Sequence, residues 1–144
     1  MARIVPVFAI PSPPQLMRNV GRGEYSKISW GALGDSYYEY ILKQWLLSDK
    51  RDNELRNRYL LAVESMKSKM IGESFPSNFT FLGEISGDGE FTPVMEHLTC
   101  FVPGLLALGY LHGMPEDHLD LAKALTRTCV QVRSGISPSV LGSP

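Results

Sequence analysis

Trp30-Gly31-Ala32-Leu33-Gly34-Asp35-Ser36-Tyr37-Tyr38-Glu39-Tyr40-Ile41-Leu42-Lys43-Gln44-Trp45-Leu46 is the strongest helical stretch of the chain, and it fixes the fold class. Tyr38, Ile41, Leu42 and Trp45 fall at i, i+3, i+4 and i+7, so one face of the helix is apolar and seeks a core. The spacing predicts a helix from about Gly34 to Ser48. Asp35 lies one turn before Tyr38, on the edge of that face. Two roles suit a carboxylate there. It can cap the helix by accepting a backbone N–H near Tyr37 or Tyr38, or it can be a catalytic group held on a rigid element.

Working outward, the polar run Ser48-Asp49-Lys50-Arg51-Asp52-Asn53 ends the first helix. A second helix is expected from Asp52 or Asn53 to about Ile71, with Leu55, Tyr59, Ala62, Val63, Met66 and Met70 as its inner stripe and Gly72 as its stop. The short turn between the two predicts an antiparallel pair. Beyond Pro76, Asn78 to Ile85 alternates in strand fashion, and the Gly87-Asp88-Gly89 turn predicts that Phe91 to Met95 pairs back as one hairpin. A third helix, starting near Leu98 and carrying Phe101, Leu105, Leu106, Leu108 and Leu111, is apolar nearly all round and must be buried on several sides. Gly104 and Gly109 permit close helix contacts there. Gly113 is its C-terminal stop, and Pro115 suits the first position of a fourth helix, whose inner face reads Leu121, Ala122, Leu125, Cys129 and Val132. Before Trp30, Ile4 to Ile10 resembles a short strand that Pro11, Pro13 and Pro14 interrupt. The pattern is helix pair, hairpin, helix pair: a mainly α chain.

The 144 residues suffice for one domain with a sizeable core, since 44 % are apolar and 20 % charged. A net charge of −1 without a basic run argues against a nucleic-acid partner. No apolar run is long enough to span a membrane, and the proline-interrupted N-terminus is a poor signal peptide. The loop-type residues from Ser134 to Pro144 suggest a piece of a longer chain. Cys100 and Cys129 are too few for a disulfide scaffold or a zinc site, and stand either as two buried thiols or as one disulfide.

Few other residues offer chemistry. His97 follows Glu96 at a junction and is either structural or a ligand contact. His112 and His118 lack a third ligand at useful spacing, so a metal site is not expected. Glu84 is a site carboxylate or a solvated turn residue. Asn78-Phe79-Thr80 is an N-glycosylation sequon, a tripeptide frequent by chance.

Two long motifs add what spacing does not. Gly31-Ala32-Leu33-Gly34-Asp35-Ser36-Tyr37-Tyr38-Glu39-Tyr40 followed by Leu42-Lys43-Gln44-Trp45 resembles the signature of the class I α-1,2-mannosidases, glycoside hydrolase family 47. Met95-Glu96-His97-Leu98-Thr99-Cys100-Phe101-Val102-Pro103-Gly104-Leu105-Leu106-Ala107-Leu108-Gly109 resembles that family's M-D-H-L-x-C-F-x-P-G-x-L-A-L-G segment. Val5-Pro6-Val7-Phe8, Phe81-Leu82-Gly83-Glu84 and Thr128-Cys129 match in order and spacing as well.

The resemblance implies that residues 1–144 are a central fragment of one family 47 catalytic domain, a partial (α/α)7 barrel of helical hairpins with one β-hairpin insertion. It implies inverting hydrolysis of α-1,2-linked mannose from the high-mannose N-glycans of glycoproteins, with Ca2+ as cofactor. Asp35 then matches a catalytic acid, and His97 lines the sugar cleft. Cys100 and Cys129 match the family's disulfide, and Asn78 becomes a glycosylation site in a Golgi or endoplasmic-reticulum lumen. Membrane anchoring falls to segments outside this chain. Leu33 stands where members of the endoplasmic-reticulum type carry arginine, and implies the broader, Golgi-like specificity. An arginine fork fixes sugar hydroxyls, whereas leucine leaves room.

Departures from the family pattern limit this. Ser139 replaces a cleft glutamate, and neither the other catalytic glutamates nor the calcium-binding T-x-E segment occurs in this chain, so no metal ligand is expected here. The expectation is therefore a fragment inactive by itself, or a non-catalytic member that binds mannose-rich glycans. A barrel slice without its neighbouring helices is also expected to expose Leu105, Leu106 and Leu108 and to aggregate.

Overall fold

The computed structural model describes residues 27–32 and 34–133. The strand expected over Ile4–Ile10, Leu33 and Ser139 lie outside the described residues. The chain folds into helix α1 (Asp35–Leu47), helix α2 (Asn53–Lys69), strands β1 (Ile71–Glu73), β2 (Thr80–Leu82), β3 (Glu84–Ile85) and β4 (Phe91–Thr92), a 3-10 turn over His97–Phe101, and helices α3 (Val102–Leu111) and α4 (Glu116–Arg133).

Helix α1 buries Tyr38, Ile41, Leu42 and Trp45, the face its spacing predicts. Removing each such side chain from water contributes about 1.5–3 kcal/mol before ordering costs. Gly34 holds the N-cap position with no side-chain cap bond. The capping role expected of Asp35 is thus corrected. Asp35 is already inside the helix, and its Oδ1 accepts the adjacent Ser36 amide at 2.7 Å. After α1 the chain reverses through Asp49 and Lys50, both at positive φ. Asp52 caps α2, accepting the amides of Glu54 at 3.0 Å and Leu55 at 3.1 Å. The short link packs α1 on α2, and the link through Gly113 packs α3 on α4.

The hairpin differs from expectation. Helix α2 stops at Lys69, and Ile71 begins a strand, with Ile71 opposite Leu82, Gly72 opposite Phe81 and Glu73 opposite Thr80. Gly72 is therefore a strand residue; the Phe81 ring occupies the space of its missing side chain, 2.7 Å from where a Cβ would sit. The strand expected over Asn78–Ile85 breaks at Gly83. There the amide turns to the Met70 carbonyl at 2.8 Å, and a Cβ would lie 2.6 Å from the Thr92 carbonyl oxygen. Glu84–Ile85 then pairs with Phe91–Thr92 as a second ladder. Two short hairpins replace the predicted one.

Helix α3 begins at Val102 rather than Leu98, because the Glu96 carbonyl accepts both the amide of Thr99 at 3.0 Å and its hydroxyl at 2.6 Å, which tightens the entry into a 3-10 turn. Gly113, at φ +96, ends α3 in the left-handed conformation that glycine adopts without penalty. On α4 the inner face is His118, Ala122, Leu125 and Thr128. Val132, expected inside, is 44 % exposed. Its place is taken by Thr128, whose hydroxyl donates to the Thr80 carbonyl and ties the helix to β2.

One apolar cluster joins all four helices, with Trp30, Leu42, Tyr59, Val63, Met66, Leu82, Val102, Leu106 and Leu125 at its centre. Leu105 and Leu106 are 4 % and 0 % exposed and Leu108 is half-buried. The expected exposure of these leucines is overturned: α4, wrapped on α3, supplies the cover. The mainly α reading holds, and the paired helices match a slice of an (α/α)7 barrel.

Candidate functional site

The segment leading into α1 lies along the second hairpin. Ile28 and Ile85 exchange backbone hydrogen bonds at 2.8 and 3.0 Å, an antiparallel bridge that sets Lys27 beside Glu84. The Lys27 ammonium donates to both Glu84 carboxylate oxygens, at 3.0 and 3.1 Å, and to Glu96 Oε1 at 3.1 Å. Glu96 uses its other oxygen, Oε2, to accept the Ala32 amide at 2.8 Å. Glu84 is 7 % exposed. It is neither a solvated turn residue nor an open site carboxylate; it is a buried charge held by one lysine.

This cluster clamps the loop that precedes Asp35. Ser29 Oγ accepts the Gly31 amide at 2.9 Å, and the Gly31 carbonyl accepts the amides of Gly34 at 3.1 Å and Asp35 at 2.9 Å. Trp30 stacks on Tyr38 with ring centroids 3.9 Å apart and planes 8° from parallel. The loop is thus anchored by an aromatic stack on α1 and by a carboxylate on the far side. Asp35 stands at its end, half-buried, with a helix N-terminus behind its charge.

The electrostatics agree with the geometry. The Ala32 amide, then the Lys27 ammonium, hold the Glu96 carboxyl below the ordinary carboxylate value. Hydrogen bonds to Glu84 and then Glu96 push the Lys27 ammonium up from its ordinary value. Glu96 is therefore an anion through the neutral range, and His97 follows it directly. His97 opens the 3-10 turn and is exposed. The Glu96–Ala32 bond consequently ties the corner carrying His97 to the loop carrying Asp35. Sequence reasoning missed Lys27 and the anchoring role of Glu96, since their partners lie 57 to 69 residues away and no local pattern marks them.

The remaining site residues lie elsewhere. Cys100 and Cys129 form a disulfide, with Cα atoms 5.9 Å apart, that staples the 3-10 turn to α4. Asn78 is exposed in the loop between β1 and β2, at φ +51. Among the described residues, no group of three or more histidine, cysteine, aspartate or glutamate side chains is gathered to hold a metal ion. Glu84 and Glu96, the two carboxylates that share one partner, are both taken up by the Lys27 ammonium. The described residues therefore do not fit calcium.

Residues 9–141 match the family model of glycosyl hydrolase family 47. The chain is 46 % identical over 114 residues to the endoplasmic reticulum mannosyl-oligosaccharide 1,2-alpha-mannosidase of Rattus norvegicus, an overlap of 76 % of this chain and 17 % of the relative. It is 40 % identical over 121 residues to mannosyl-oligosaccharide 1,2-alpha-mannosidase IB of Homo sapiens, covering 81 % of this chain and 18 % of that protein. Among solved structures it is similar to the alpha-1,2-mannosidase from Trichoderma reesei, with a TM-score of 0.64 and 27 % identity, covering 72 % of this chain and 21 % of that one. The chain thus spans about a sixth of the length of these curated relatives, 17 % in the first case.

Proposed function

Because the chain belongs to glycosyl hydrolase family 47, we propose that it supplies the Asp35–His97 portion of the sugar cleft of an α-1,2-mannosidase that trims the N-glycans of glycoproteins in the secretory pathway. Residues 1–144 are then a central part of one catalytic domain. The observation that supports this best is the bond from the Ala32 amide to Glu96, which joins the two family motifs in space. Inverting hydrolysis needs one carboxyl group to protonate the leaving oxygen and another, roughly 6.5–9.5 Å away, to activate water from the opposite face. Asp35 is one member of that carboxylate set. His97, exposed on the adjoining corner, contacts sugar hydroxyls, and the resemblance gives Leu33 a part in substrate specificity. Calcium finds no ligand set among the described residues; the resemblance assigns its site to another part of the domain. Membrane anchoring likewise belongs to other segments.

The cleft itself is tested in a longer protein containing this chain. Asp35→Asn is expected to lower mannose release from a high-mannose glycan by about 10²-fold or more, and unchanged turnover refutes the assignment. Leu33 predicts broad trimming, whereas the greater overall identity is to proteins named for the endoplasmic reticulum. Leu33→Arg, read by how many mannoses are released, separates the two.

Ser139 favours a second reading for this chain by itself. A serine hydroxyl provides neither the negative charge nor the acidic proton of the family glutamate. The isolated 144 residues then bind mannose-rich glycans without cleaving them. Free mannose released by the chain alone, with calcium added, overturns that second reading.

A further inference from the structure

Phe75 is 80 % exposed. Phe75 rides on the six-residue loop, residues 74–79, between β1 and β2, away from the core cluster of the described residues. That loop is tightly closed. The Ser74 amide donates to the Phe79 carbonyl at 2.9 Å, the Phe79 amide to Ser74 Oγ at 3.0 Å, and the Asn78 amide to the Ser74 carbonyl at 2.8 Å. Ser74 is buried at 6 % exposure, so the root of the loop is fixed while its tip faces solvent. Phe75 and Asn78 stand three residues apart on one closed turn. Asn78 holds a left-handed backbone conformation, φ +51, that asparagine adopts more readily than most residues. Thr80, the hydroxyl residue of the sequon, opens β2.

We infer that Phe75 is the stacking platform for the first sugar of an N-glycan on Asn78. A pyranose presents a face of axial C–H bonds with slight positive charge, and an aromatic ring presents a negative face, so the two attract when stacked. The contact also removes apolar surface of both groups from water. An aromatic three residues before the acceptor, on a loop whose two ends are pinned by Ser74 and Phe79, needs little further ordering to meet that sugar. Among the described residues Phe75 takes no part in the apolar core cluster. The inference rests on the reading that this chain enters the secretory pathway and carries a glycan on Asn78; it adds which residue holds the sugar.

The test uses the whole chain, secreted from eukaryotic cells behind a cleavable signal sequence and trimmed enzymatically to one N-acetylglucosamine on Asn78. Its thermal midpoint is compared with that of Asn78→Gln, in the wild-type background and in Phe75→Ala. Phe75 is exposed, so Phe75→Ala leaves the core intact. The sugar is expected to raise the midpoint by about 1–3 °C with phenylalanine present, to give no gain in Phe75→Ala, and to recover its effect in Phe75→Trp. The N-acetyl methyl resonance is expected upfield in the wild type and at its free-sugar position in Phe75→Ala. An occupied Asn78 with equal midpoint gains in both backgrounds overturns the platform and leaves the glycan reading standing. An unoccupied Asn78 in the secreted wild-type chain overturns both.

Discussion

Gly31 has no room for a side chain because of Glu96: a Cβ on Gly31 would lie 2.1 Å from Glu96 Oε2, the oxygen that accepts the Ala32 amide. The two motifs that identify the family thus meet through a glycine in one and a carboxylate in the other. Nothing in the local sequence of either announces the contact; the Ala32–Glu96 hydrogen bond beside it closes a separation of 64 residues.

Gly31→Ala is expected to displace the Glu96 carboxylate and break its bond to Ala32. Overpacking together with a lost charge-assisted hydrogen bond costs about 1–3 kcal/mol. Glu96→Asp, the family's own residue at that position, withdraws the carboxylate by one methylene. In the Gly31→Ala background it should recover part of the loss. Urea unfolding of the four chains of this double-mutant cycle measures the coupling, and strictly additive costs would refute the contact.

Tyr59 and Gly109 form a second close pair in the core. A Cβ on Gly109 would meet the Tyr59 hydroxyl at 2.6 Å, and the Tyr59 ring, 1 % exposed, has nowhere to retreat. Gly109→Ala should therefore cost about 1–3 kcal/mol. The Tyr59 hydroxyl is buried without a hydrogen-bond partner, so Tyr59→Phe should be near neutral or slightly stabilising and should relieve the clash of Gly109→Ala. Denaturant midpoints of the single and double variants check this, and a Tyr59→Phe loss above ~1 kcal/mol would contradict it.

The glycines show what the sequence discloses. Helical spacing placed the inner faces of α1 and α2, because an amphipathic helix records its burial in its own period. The close approach suggested for Gly109 occurs, while the same suggestion for Gly104 does not, with open space beside its Cα. Spacing misplaced Gly72 and Gly83, since both serve cross-strand neighbours, Phe81 and Thr92, that only the folded chain brings near. For the site, Asp35 and His97 are proposals carried by the resemblance of their motifs. Lys27, and the bracing roles of Glu84 and Glu96, were not legible, because ion pairing across distant segments leaves no periodic trace.

Cys100 and Cys129 enclose a loop of 29 residues in sequence separation. Constraining the unfolded chain over that length is worth about 3–4 kcal/mol in the chain-entropy model. Replacing both cysteines by serine, or adding a reductant, should therefore lower the thermal midpoint by about 6–16 °C for a chain of this size. An unchanged midpoint on reduction would show that the bridge does not constrain the unfolded state. Cys100 also sits in the 3-10 turn opened by His97, so reduction should loosen that turn before the chain unfolds, which hydrogen exchange of the His97–Phe101 amides would register.

His118 supplies a pH dependence whose sign follows from its surroundings. It is 2 % exposed on the inner face of α4, its ring meets Tyr59 edge-on at 5.8 Å, and its Nδ1 has no hydrogen-bond partner. Burial lowers its pKa below the ordinary 6.5, opposed in part by Asp117. The folded chain therefore holds His118 neutral where the unfolded chain takes up a proton. Its contribution to stability is complete above pH 6.5 and is lost as pH falls below that value toward the lowered folded pKa, at up to about 1.4 kcal/mol per pH unit. Asp117 and Glu96 titrate lower, being held below ordinary values of 3.8 and 4.5. The interval between about 5.5 and 6.5, a unit above the higher of the two unfolded values, thus separates the histidine from these two acids. Urea unfolding across that interval should show stability falling with pH in the wild type and a flatter profile in His118→Gln. Parallel slopes in the two chains would remove His118 as the cause.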